Sequence, residues 1–146
     1  ARASFIANLA GAAGRAPRQS LSIAPMAPDA MPGYFLTDFD QAADIVKEVG
    51  APNLGLQFNT WHAQKTADDA VVCYRKHAAL CRYVQIAGYP DRHEPAPGAT
   101  DFAALFAAMA AAGYTGPVGA EYTPLGRTEN GLGWMKALAA PAATPD

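Results

Sequence analysis

Hydrophobic positions along this chain fall into short unbroken runs separated by longer stretches of helical spacing. Ala3 to Arg15 carries Phe5, Ile6 and Leu9 on one face, continued by Ala12 and Ala13, and predicts a helix that Pro17 ends. Leu21 to Ala24 predicts a strand closed by Pro25, and a Pro/Gly-rich loop from Pro28 to Gly33 follows. Thr37 or Asp38 can cap a helix through Val49, with Gly50 as its stop. The run Leu54 to Phe58 predicts a second strand, giving way to a loop at Asn59, Trp61 and His62. Thr66 is then expected to cap a helix over 68–79, and Arg82 to Ala87 reads as a third strand. A loop from Gly88 to Gly98 precedes a helix over 101–112 that Gly113 ends. Pro117 to Tyr122 is the fourth predicted strand, Gly131 to Ala139 the last helix, and 141–146 a disordered tail.

Strand starts thus recur at roughly 30-residue intervals, the size of one strand-plus-helix unit. Continuous apolarity in the strands argues for parallel strands buried on both faces. Four such units make about half of an eight-unit barrel of about 250 residues. An open doubly wound sheet is the competing arrangement, but no strand runs into a GxGxxG or GxxxxGK[ST] phosphate loop. Polar residues collect instead at successive strand ends. The expected fold is therefore α/β, four βα units forming half of a TIM (β/α)8 barrel, in one domain over residues 1–140.

Composition narrows the function classes. With 51% hydrophobic and 16% charged residues, the chain is that of a packed globular protein. A net charge of −2 and scattered basic residues provide no footprint for nucleic acid or an anionic membrane. Cys73 and Cys81 lack paired-ligand spacing, so reduced thiols are expected. No run is long and apolar enough to span a bilayer, and the N-terminus lacks signal-peptide order, so a cytoplasmic location is expected. No nucleotide cofactor is expected.

The strand ends define a candidate site. Asn59 and His62 follow the second strand, and Gln85 lies within the third. Arg92, His93 and Glu94 occupy the loop after it, and Glu121 ends the fourth with Tyr122. Imidazole, amide and carboxylate groups at one barrel mouth suit a divalent cation and a small polar ligand. Plainer readings stand beside these. His62 next to Trp61 reads as a core histidine, Gln85 as a backbone partner, 92–94 as a charged loop tip, and His77 as a solvated helical residue. Glu121 fits the plain reading least, because a carboxylate inside a buried strand needs a partner.

Six ordered motifs are more specific: MPGYFLT (31–37), NTWHAQ (59–64), VQIAG (84–88), RHEP (92–95), GAEYTP (119–124) and GLGW (131–134). Together they resemble the hydroxypyruvate isomerase family of xylose isomerase-like TIM barrels, over its C-terminal half only. The resemblance implies a divalent metal, Mg²⁺ or Mn²⁺, held by a glutamate in an EPIN-like pattern, an aspartate opening DxYH, a glutamine in hxQIAD and a glutamate in GxEY. The last two correspond to Gln85 and Glu121, while the first two fall on Ala24 and Asn59. His62 matches the histidine of the second pattern.

The implied reaction converts hydroxypyruvate to tartronate semialdehyde through an enediol, with two glutamates as acid and base. Of those two places, Ala24 is empty of a carboxylate and Glu121 retains one. Glu121 is thus the implied catalytic residue. Glu121, Gln85 and Asn59 are the implied, weakened metal set, and His62, Arg92, His93 and Glu94 the substrate-binding set. Loss of one acid/base partner costs about 10²–10⁴-fold in rate, so weak or absent activity is expected. A non-catalytic sugar-acid-binding or structural remnant is the alternative. Half a barrel leaves two strand edges open, which predicts a homodimer or higher oligomer.

Overall fold

The computed structural model describes residues 1–139; the tail expected over 141–146 lies outside them. Helix α1 (Arg2–Arg15) precedes strand β1 (Leu21–Ile23), then α2 (Phe39–Val49), β2 (Leu54–Asn59), α3 (Thr60–Ala67) and α4 (Ala70–His77). Strand β3 (Cys81–Ile86), α5 (Phe102–Ala111), β4 (Val118–Ala120) and α6 (Gly133–Ala139) complete the order. All four strands pair in parallel, in the order β1-β2-β3-β4. This is the expected run of four βα units and half a barrel.

The helices begin and end for local reasons. Asp38, the second of the two expected candidates, caps α2 by accepting from Gln41 N, and Gly50 stops it at φ 64°. Asp101 caps α5 in the same way. The segment after β2 departs from expectation. No loop intervenes, because Asn59 itself caps α3. Thr66 is not a cap: it lies inside α3 and its hydroxyl donates back to His62 O at 2.9 Å. Asp69 caps α4, accepting from Val71 N and Val72 N. Two cap-type residues stand close together there, and the helical break falls at the second.

The core lies between the sheet and its helices. Phe58 of β2 touches Phe39 of α2 at 5.1 Å between ring centroids and Tyr74 of α4 at 5.3 Å. Val84, Ile86, Leu105 and Met109 extend the same cluster. A fully buried side chain of this size contributes about 1.5–3 kcal/mol. The opposite sheet face corrects the expectation of burial on both faces: Tyr83 and Gln85 are only half-buried there, and even on the core face Val118 and Ala120, in register with Val84 and Ile86, are exposed at the β4 edge. Four strands cover one face with helices, but only a closed barrel would enclose the other. His77, expected in solvent, is buried; it stacks on Phe39 and meets Asp40 Oδ1 at 3.0 Å.

Register places the polar residues. Asn59 pairs with Gln85, and Gln85 with Gly119, so the three lie in one row across the sheet with Glu121 just beyond β4. A shift between Leu56 and Gln57 accompanies this alignment. A Cβ at Gly119 would overlap the Tyr83 hydroxyl, so the glycine leaves room for the Tyr83 ring as it stands.

Candidate functional site

The orientation of Asn59 organises the site. Its Oδ1 accepts from Trp61 N at 3.0 Å and His62 N at 3.2 Å, satisfying two orphan N–H groups of α3. A reversed amide would aim N–H at N–H, so the cap fixes which end faces the sheet. Nδ2 therefore faces inward, donating to Glu121 Oε2 at 2.9 Å and to Gln85 Oε1 at 3.3 Å. Gln85 Oε1 also accepts from Gln57 Nε2 at 2.6 Å.

From the loop after β3, Arg92 completes the cluster. Its Nη2 donates to Glu121 Oε2 at 2.6 Å, and its guanidinium lies over the Trp61 ring, 5.1 Å from the centroid. Lys65, paired with Asp29 at 2.5 Å, also lies over that ring at 4.6 Å. Arg92 sits at φ 57°, in the left-handed region that a non-glycine residue seldom adopts. Thr123 N holds this bend by donating to Arg92 O at 2.8 Å.

His62 Nδ1 accepts from Ala27 N at 3.0 Å, so the proton of the neutral ring belongs on Nε2. Nε2 is buried and finds no partner among the described residues. Burial, with the Arg92 charge next, pushes the His62 pKa down to about 4, so the ring is neutral at neutral pH. The imidazole lies edge-on to Trp61 at 5.0 Å between centroids.

His93 and Glu94, expected to bind substrate, tie the loop to the segment after β4. His93 Nδ1 donates to Thr123 O at 2.7 Å, and the Glu94 carboxylate accepts from Leu125 N at 3.2 and 3.3 Å. A Cβ at Gly131 would overlap that carboxylate, and one at Gly88 would meet Glu94 O at 2.6 Å. Asn59, Gln85, Arg92 and Glu121 therefore converge in one hydrogen-bonded cluster, while His93 and Glu94 brace it. Gln57, Trp61 and Lys65 are participants that sequence reasoning missed. Gln57 was accessible to it, since positions two apart in a strand share a face. Trp134 meets Tyr122 edge-on, its Nε1 donating to Tyr122 Oη at 3.2 Å.

The donor set does not fit a hard divalent cation as arranged. Ala24, beside β1, offers no ligand, and Asn59 turns N–H groups rather than oxygen toward Glu121 and Gln85. Such a cation selects anionic oxygens. Among the described residues, no group of three or more His, Cys, Asp or Glu stands where it could hold a metal. A cavity of about 750 Å³ lies elsewhere, between the Glu94–Ala103 segment and α6, with a mainly apolar lining.

Residues 1–138 match the sequence profile described as xylose isomerase-like TIM barrel. A 2-oxo-tetronate isomerase of Cupriavidus necator is 42% identical over 137 residues, 92% of this chain and 53% of that protein. A Drosophila melanogaster protein named as a candidate hydroxypyruvate isomerase is 36% identical, covering 92% of this chain and 52% of its own length. A crystal structure from Brucella melitensis, described as an AP endonuclease of family 2, superposes with a TM-score of 0.88 at 38% identity. It covers 93% of this chain and 54% of that one. The chain spans about half the length of the curated relatives it matches.

Proposed function

This chain belongs to the xylose isomerase-like TIM barrel family, and on that premise we propose that it carries an isomerase-type site for a small hydroxy-oxo acid such as hydroxypyruvate. The names 2-oxo-tetronate isomerase and hydroxypyruvate isomerase both describe a 2-oxo acid with a hydroxyl on the next carbon. The observation that carries the reading is the convergence of Asn59, Gln85, Arg92 and Glu121 from three consecutive strand ends, the edge where parallel barrels bind ligands.

The chemistry is an internal redox exchange. Glu121 takes the proton from C3 of hydroxypyruvate, and the C–H electron pair becomes the C2–C3 double bond of an enediol. Return of a proton to C2, with the C3 hydroxyl becoming the carbonyl, gives tartronate semialdehyde. Among the described residues the hydrogen bonds of Glu121 fall on Oε2, leaving Oε1 for the proton. Arg92 donates to Glu121 Oε2 and, with its remaining N–H groups, meets the substrate carboxylate. The His62 Nε2–H is a donor available to the substrate oxo group.

With Ala24 where a second carboxylate would stand, turnover is expected about 10²–10⁴-fold below that of a two-carboxylate site. That substitution also favours a second reading, a site that binds a sugar acid without turning it over. The experiment follows hydroxypyruvate by proton NMR in D₂O, with wild type and Glu121→Gln. Deuterium incorporation at C3 and aldehyde formation, both lost in the variant, support the isomerase. Neither signal from the wild type defeats it, and binding without exchange selects the second reading.

The proposal includes a partner. Among the described residues the outer edges of β1 and β4 have no partner strand, and Val118, Leu125, Leu132 and Met135 expose large apolar surface around β4 and α6. A second copy of the chain supplies a homodimer that covers these edges. A monodisperse monomer by light scattering at micromolar concentration would defeat the dimer.

A further inference from the structure

Two of the oxygens that a cation would need at this site, Gln85 Oε1 and Glu121 Oε2, already accept from N–H groups. Gln85 Oε1 receives Gln57 Nε2 and Asn59 Nδ2, at 2.6 and 3.3 Å. Glu121 Oε2 receives Asn59 Nδ2 and Arg92 Nη2, at 2.9 and 2.6 Å. Neither donor is free to turn away cheaply. Rotating the Asn59 amide would break the α3 cap, which uses its only oxygen.

Arg92 is held from three sides: by its left-handed backbone with Thr123 N on its carbonyl, by the Trp61 ring, and by the Glu121 carboxylate. A divalent ion entering beside Glu121 would meet this fixed positive charge and would have to displace it. The same charge presses down the proton affinity of His62, second only to burial.

We propose that Arg92 and the Asn59 amide take the place of a divalent cation opposite Glu121 and Gln85, so that the site binds an anionic hydroxy acid through N–H donors and not through a metal. The ligand class rests on the isomerase-type reading above; the replacement of the cation does not, since it concerns protein groups alone. Arg92 is 27% exposed, and a guanidinium has N–H groups beyond the one facing Glu121, which suits a carboxylate arriving from solvent.

Calorimetric titration of the EDTA-treated, dialysed protein with MnCl₂ tests the replacement, and turnover plays no part in it. The wild type is expected to show no saturable one-to-one binding up to about 1 mM Mn²⁺. Asn59→Asp keeps a cap oxygen and turns the inward N–H donor into an anionic oxygen. It is expected to bind Mn²⁺ at least about tenfold more tightly than wild type. Micromolar Mn²⁺ binding by the wild type that Glu121→Gln abolishes would overturn the proposal, as would an unchanged titration in a folded Asn59→Asp protein. Should Asn59→Asp fail to fold by circular dichroism, Arg92→Gln decides. A gain in Mn²⁺ affinity supports the fixed-cation role, and no gain contradicts it. Loss of hydroxypyruvate turnover with this Mn²⁺ pattern intact would touch only the isomerase reading.

Discussion

Asn59 and His62, on the β2 side of the site, are each 2% exposed, whereas the Glu121 side chain on the β4 side is 52% exposed. Yet Asn59 and Glu121 meet in a single 2.9 Å hydrogen bond. The buried side owes its geometry to the core: Phe58 is locked between Phe39 and Tyr74, and the next residue caps a helix. The exposed side owes its geometry to side-chain ties, with Arg92, His93 and Glu94 reaching over to 121–125. One site thus combines a wall that is expensive to disturb with a wall that is cheap to disturb.

Core truncation should separate the walls most strongly. Phe58→Ala is expected to cost about 3–5 kcal/mol, whereas Val118→Ala, 42% exposed on β4, should cost less than about 1 kcal/mol. Urea denaturation measures both, and equal costs would erase the distinction.

Acid is the next lever. The folded pKa of His62 is lowered from 6.5 to about 4 because burial disfavours the charged ring, so the unfolded chain binds more protons between those values. The contribution of His62 is fully present above pH 6.5 and is lost as pH falls toward 4, on the order of 3 kcal/mol in all. His77, also lowered chiefly by burial, adds loss of the same sign. The difference between wild-type and His62→Gln stability curves over this window isolates His62, and parallel curves would refute the assignment.

Smaller effects belong to side-chain ties near the surface of either wall. Glu94→Ala should cost about 1 kcal/mol and speed hydrogen exchange at the Leu125 amide it holds. Unchanged exchange there would remove Glu94 from the bracing role. Smallest of all, Lys65→Met should change stability by no more than about 1 kcal/mol, since its ion pair with the 62%-exposed Asp29 is screened. A larger loss by urea denaturation would make the Lys65–Trp61 contact structural.

These two walls were unequally legible in the sequence. The apolar run at 54–58 and the caps at Asp38 and Gly50 follow from local chemistry, and the structure retains them. In the sequence, Asn59 offers its oxygen as a candidate metal ligand. Its position before Thr60-Trp61-His62 equally marks an N-cap, and the cap sets which atom faces inward. Strand β4 was expected over 117–122 but pairs only over Val118–Ala120, having a neighbour on one side alone. Arg92 could be placed in a loop, but its contact with Glu121 depends on a left-handed turn and a reach across two strand ends that no local pattern encodes.

Nitrogen-15 NMR of the His62 imidazole and the Arg92 guanidinium during titration with hydroxypyruvate tests most directly whether both walls form one ligand site. A neutral, Nε2-protonated His62 is expected in the free protein, with both side chains shifting along one saturation curve. Saturation of one side chain without the other, or no shift in either at millimolar ligand, would contradict it.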